Sequence, residues 1–126
     1  MDLQSLVYSD TAVMEITNHD GSSMESENGV MSIEFYGADT DEQLRAYRRY
    51  RLASIEAGKD EEDLLLAECK LLKDLTSRFN NVIYNGEELT LKDGAKAYRE
   101  IIKLRNQAIR FVGNNENFIQ GQEKKL

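Results

Sequence analysis

Tryptophan and proline are absent from this chain, cysteine and histidine occur once each, and no Lys or Arg precedes Arg45. Each absence removes a class of answer. Disulfide frameworks need paired cysteines and His/Cys zinc sites need about four ligands, so Cys69 and His19 cannot supply either. No run of eighteen apolar residues exists, and the opening MDLQSLVYSD lacks the charged-then-apolar pattern of a signal peptide. A soluble, intracellular protein without membrane partners is therefore expected. No proline-rich or glycine/serine linker divides the 126 residues, which suit a single domain with one core.

Charge is unevenly spread. Residues 1–44 hold ten acids and no base, whereas residues 45–126 hold 16 bases and 13 acids, so the formal charge of −7 arises entirely from the front. Such an acidic surface repels phosphate backbones and makes nucleic acid an unfavourable partner.

Signatures of catalysis are also missing. There is no phosphate-cradling glycine loop, no GxSxG elbow and no HExxH. Cys69 lies on an apolar helical stripe and His19 in a polar loop, so a buried inert thiol and a solvated imidazole are the expected states. The run Asp60, Glu61, Glu62, Asp63 reads as a helix N-terminus rather than a cation site. No enzyme, metal or cofactor is expected.

What remains is patterning. Thr11–Thr17 and Val30–Tyr36 are rich in β-branched and aromatic residues and read as two strands of an antiparallel hairpin, with Met31, Ile33 and Phe35 facing the core. Their connection, Asn18–Gly29, is long and polar and is expected to be mobile. Asp39 or Thr40 then caps a helix that stops at Gly58, and Asp60 caps a second one. The second stripe runs Leu64, Ala67, Leu71, Leu75 and Phe79 at helical spacing. Val82–Tyr84 fits an extended piece or a helical end. A third helix follows Thr90, with Leu91, Ala95, Tyr98, Ile102, Ile109 and Val112 on one face and Arg105 interrupting it. The predicted class is α+β, mainly α: a loose arm over 1–10, a hairpin over 11–36, a helical body of about three helices over 37–113 and a flexible tail over 114–126. Phe118 and Ile119 offer a last anchor in that tail. A two-stranded hairpin is marginal alone, so edge pairing between subunits of a homo-oligomer is a fair expectation.

The most pointed local signal is Arg45, Arg48, Arg49 and Arg51, interleaved with Tyr47 and Tyr50. Guanidinium forks in a helical patch suit acidic protein surface or phosphate, and the tyrosines suit protein contact or the core. Pairing with the chain's own front-half acids, within or between subunits, competes with a partner protein.

The order of these features is similar to the tail assembly chaperones of long-tailed bacteriophages. It runs AVMEI (12–16), NHDG (18–21), VMSIEFYG (30–37), GADT (37–40), the Arg-rich helix DEQLRAYRRYRLASI (41–55), NGEEL (85–89), then IRFVGNN and a late Phe118. A Trp common before the glycine break in that family is replaced here by Tyr84. The resemblance implies a non-catalytic protein of the host cytoplasm that binds the tape measure protein and tail-tube subunits, including the major tail protein, and is absent from the finished virion. It also implies a longer frameshifted product, for which the Lys124-Lys125 pair suits a slippery site. A different class, an acidic DNA mimic that binds a host nuclease or repressor, needs regular carboxylate rows that the front half does not supply.

Overall fold

Three strands, not two, make the main sheet. In the computed structural model, which describes residues 2–119, β1 (Thr11–Glu15) and β4 (Ser32–Tyr36) pair antiparallel as predicted, and a third strand, β5 (Thr76–Asn80), closes on the other side of β4. The hairpin therefore packs within its own chain. Ala12, Met14, Ile33 and Phe35 are buried on the core face, while Val13 pairs with Glu34, which pairs with Arg78, on the other. The period of two sorts each strand this way because a core lies on one side of the sheet.

The connection read as one long loop is two built turns. Asp20 Oδ1 accepts from the Ser22 amide and hydroxyl, at 2.9 and 2.6 Å, and a small hairpin forms from β2 (Glu25–Ser26) and β3 (Gly29–Val30).

α1 (Asp41–Ala57) starts where Thr40 Oγ1 accepts from the Gln43 amide at 3.2 Å, with Asp41 and Glu42 in its first turn. Gly58 ends it in a positive-φ conformation (62°) that glycine adopts without strain. α2 (Glu61–Leu75) is capped by Asp60, whose Oδ1 accepts from the Asp63 amide at 2.9 Å. The two helices fold back as a hairpin, and α2 buries Ala67, Cys69, Leu71, Leu72 and Leu75.

Two sequence expectations are corrected beyond this point. Phe79 does not continue the helical stripe, because α2 stops at Leu75 and Phe79 reaches the core from β5, opposite Ile33. A spacing of four residues satisfies helix and strand alike, and the strand won because β4 offered an open edge. The third helix is two helices, α3 (Gly94–Glu100) and α4 (Ile102–Val112), separated at Ile101 (φ −108°, ψ 91°). Arg105 reaches back to donate to the carbonyls of Tyr98 and Arg99 at 3.1 and 3.0 Å, satisfying the end of α3. Val82–Tyr84 is extended: β6 (Ile83–Tyr84) pairs with β7 (Glu87–Glu88) around positive-φ Asn85 and Gly86.

Near the two ends of the described residues, the arm and the C-terminal turn meet, with Phe118 and Ile119 as the anchor. Leu3–Leu6 forms a 3-10 turn, the Ser9 amide donates to the Phe118 carbonyl at 2.6 Å, and Tyr8 bridges Ile119. Phe118 is fully buried, its ring 5.8 Å from Phe111, which lies 5.6 Å from Phe35. Three aromatic rings thus join the sheet, α4 and the C-terminal turn. The remainder of the predicted tail, 120–126 with Lys124-Lys125, lies outside the described residues.

Candidate protein-binding site on the first helix

α1 is the least embedded of the long elements. It packs chiefly on α2, and of its 17 residues only Ala46 is fully buried. Residues that share its inner side, including Tyr47 and Tyr50, pack at the edge of the core. Burial pushes the Tyr47 phenol up, with Tyr50 beside it adding to the effect. The two tyrosines are thus half-buried supports of the helix rather than a free aromatic surface.

The four arginines divide into two pairs. Arg49 Nε donates to Asp74 Oδ2 on α2 at 3.1 Å, and Asp74 keeps only 14% of its side chain exposed. Arg45 lies 3.8 Å from Glu42 one turn earlier. Together with Tyr36, Lys73 and Thr76 these residues line a cavity of about 210 Å³ over the α1–α2 hairpin. Intramolecular pairing accounts for this half of the run. Arg48 and Arg51 point elsewhere: both are exposed, and among the described residues neither has an acidic partner within 4.0 Å.

Around Arg48 and Arg51 lies the feature that the arginine pattern hid. Leu44, Leu52 and Ile55 are 57%, 58% and 76% exposed. At 3.6 residues per turn, Arg51, Leu44, Ile55, Arg48 and Leu52 fall in that order across an arc of roughly 100°. The outer face of α1 is therefore a mixed stripe of three large apolar side chains and two unpaired guanidinium groups. Single exposed leucines are ordinary, but three on one helical face with no cover are the pattern of a contact surface. Spacings of eight and eleven residues from Leu44 to Leu52 and Ile55 carried that signal in the sequence.

Elsewhere the chemistry is quiet. Cys69 is 1% exposed, and burial pushes its thiol up although Arg105 nearby acts the other way. His19 is exposed and lines an apolar cavity of about 220 Å³ with Ile16, Met24, Leu104 and Gln107, which Cys69 does not reach. Among the described residues no group of three or more His, Cys, Asp or Glu side chains converges as a metal site, and no helix is long and apolar enough to cross a membrane. A groove between the β2–β3 and β6–β7 hairpins, about 470 Å³ in volume, is lined by Glu25, Glu27, Met31 and Ile83. Carboxylates of the β2–β3 hairpin thus line this groove.

Compared with known proteins, the chain matches no family model, no curated protein and no solved structure.

Proposed function

We propose that this chain is a non-catalytic assembly chaperone of the phage-tail kind, which binds the tape measure protein and tail-tube subunits in the host cytoplasm and is left out of the finished virion. The observation that supports this reading is the outer stripe of α1, Leu44, Leu52 and Ile55 with Arg48 and Arg51, on a helix that its own fold covers on one side. A long helical client exposes apolar stripes that aggregate unless covered, and an amphipathic helix face is a natural cover. Full burial of each large apolar side chain stabilises by about 1.5–3 kcal/mol. Three such side chains supply only a modest affinity once the cost of association is subtracted. Weak single contacts suit a holdase, because many copies along one long client retain it by number while each copy is easily displaced.

Among the acids of residues 1–44, Glu34 pairs with Arg78, Glu42 neighbours Arg45 and Asp20 is bonded to Ser22. This scattering favours the chaperone over the DNA mimic, which needs free carboxylates in rows.

Co-expression with a tape measure protein and a major tail protein of a long-tailed phage tests the proposal. The expected outcome is that the tape measure protein stays soluble and co-purifies with the chain. A tape measure protein equally soluble without it, or insoluble with it, would overturn the reading.

A further inference from the structure

The client chemistry that fits the α1 stripe is narrower than "apolar", and this inference rests on the binding role proposed above. Along the stripe the order is Leu44, Arg48, Arg51, Ile55, with Leu52 beside them, so the charges sit between two apolar ends. That order is nearly symmetric about a point between Arg49 and Tyr50. A second copy packed antiparallel on this face would set Leu44 against Ile55 and Arg48 against Arg51, twice over. Four guanidinium groups would then meet at the centre of the contact, while the acid that shares their arc, Asp41 in the first turn, lies more than two turns from that centre. Like charges facing across an interface suppress that pairing. Duplex nucleic acid is a poor occupant for another reason. The protein carries a net charge of −7, and only two of the four neighbouring arginines are free to meet phosphate.

We infer that the outer face of α1 docks an amphipathic helix whose contact stripe reads apolar, acidic, acidic, apolar at positions i, i+4, i+7 and i+11. Laid antiparallel on α1, such a helix places its end residues on Leu44, Leu52 and Ile55 and its two carboxylates on Arg48 and Arg51. The apolar ends provide affinity and the central charges provide register and discrimination between partners. Each exposed ion pair contributes little by itself. Exchange of both carboxylates for ammonium groups replaces two attractions by two repulsions and amounts to about a tenfold preference or more.

The test uses the full chain, labelled with ¹⁵N, and two synthetic helix-favouring peptides that differ only at i+4 and i+7, Glu in one and Lys in the other. The Glu peptide is expected to shift the amides of residues 44–55 and to bind about tenfold more tightly than the Lys peptide. The double variant Arg48→Glu/Arg51→Glu is expected to keep the native spectrum outside α1 and to reverse the preference. Equal binding of both peptides, shifts centred away from α1, or no binding of either peptide would overturn the inference. Shifts in α1 that grow with protein concentration alone would instead assign the face to a second copy, and shifts on adding duplex DNA would assign it to nucleic acid; each overturns it too. These outcomes are separable from the chaperone role. A tape measure protein retained equally by the wild type and by the double variant would leave that role standing and remove only this docking mode.

Discussion

The Tyr98 hydroxyl lies 2.8 Å from Thr76 Oγ1, and Thr76 Oγ1 in turn lies 2.7 Å from the Leu72 carbonyl. Thr76 has one proton, and the carbonyl can only accept, so Thr76 donates to Leu72 and Tyr98 donates to Thr76. All three residues are buried. This relay sits at the residue where α2 becomes β5 and ties that junction to α3.

The direction of the relay makes the two single substitutions unequal. Tyr98→Phe removes one donor and leaves Thr76 bonded to Leu72, at a cost of about 1 kcal/mol. Thr76→Val keeps the shape but strands the Tyr98 hydroxyl and the Leu72 carbonyl in the core, and costs about 2–3 kcal/mol. Urea unfolding should rank them in that order, with the double variant less destabilised than the sum of the two. An equal cost for both singles would mean that the hydroxyl of Tyr98 finds another acceptor.

This junction is also where the sequence was least legible. Helical spacing carried Phe79 into the second helix, because a residue four places beyond Leu75 is in phase for a helix and on one side for a strand. Only the open edge of β4, a property of the folded sheet, separates the two. Local chemistry was readable where it is self-contained: Thr40, Gly58 and Asp60 cap as their types predict. The Arg105 interruption was visible as well, but its meaning, a cap on the end of α3, requires the break at Ile101. At the candidate site the arginines drew the eye, while the decisive fact was which of them already had partners. Asp74, 25 residues from Arg49, is invisible to any local pattern.

Arg48 and Arg49, adjacent in sequence, should therefore respond differently to reversal of charge. Arg48→Glu places an acid on an open face and is expected to change the unfolding midpoint little, within about 0.5 kcal/mol. Arg49→Glu sets a carboxylate beside the sheltered Asp74 and is expected to cost about 1 kcal/mol. Thermal unfolding of the two variants at low salt checks this, and the difference should shrink at 1 M salt. Equal stabilities at low salt would show that the Arg49–Asp74 pair contributes nothing.

Gly37 is required by crowding. A methyl group there would stand 1.9 Å from the Ser9 carbonyl oxygen, and the Gly37 amide donates to Asp10 at 2.6 Å. The chain entering β1 and the chain leaving β4 thus touch backbone to backbone. Gly37→Ala should destabilise by about 2–4 kcal/mol, lowering Tm by about 10 °C. Gly21 supplies the control, since it has positive φ (87°) but open space where a Cβ would go. Gly21→Ala should cost only about 1 kcal/mol. Similar melting temperatures for the two variants would remove the steric account of Gly37.

Gln107 closes the ladder just beyond β1 in the place of a strand. Its Oε1 accepts from the Thr17 amide at 3.0 Å and its Nε2 donates to the Thr17 carbonyl at 3.1 Å. A side-chain amide that pairs both ways imitates a neighbouring peptide and blunts an exposed edge. Gln107→Glu keeps the acceptor and loses the donor, whereas Gln107→Ala loses both. Hydrogen exchange at Thr17 should accelerate moderately in the first and strongly in the second, with global stability falling by about 1 kcal/mol in the alanine variant. Unaltered exchange in Gln107→Ala would mean that Thr17 is protected by other groups.

Glu34 links stability to pH. Its carboxylate, 17% exposed, accepts from Arg78 Nε at 2.9 Å, and this bond holds its pKa below the ordinary 4.5 against an opposing effect of burial. The folded pKa is depressed relative to the unfolded one, so the stability from this group is fully present above the unfolded value and is lost as pH falls through the folded value. Glu34→Gln should therefore cost about 0.5–1 kcal/mol at pH 7 and progressively less below about pH 4. Urea midpoints of wild type and variant, measured from pH 7 to pH 3, should converge on the acid side. Parallel curves would assign the effect to packing between β4 and β5 rather than to charge, because packing does not titrate.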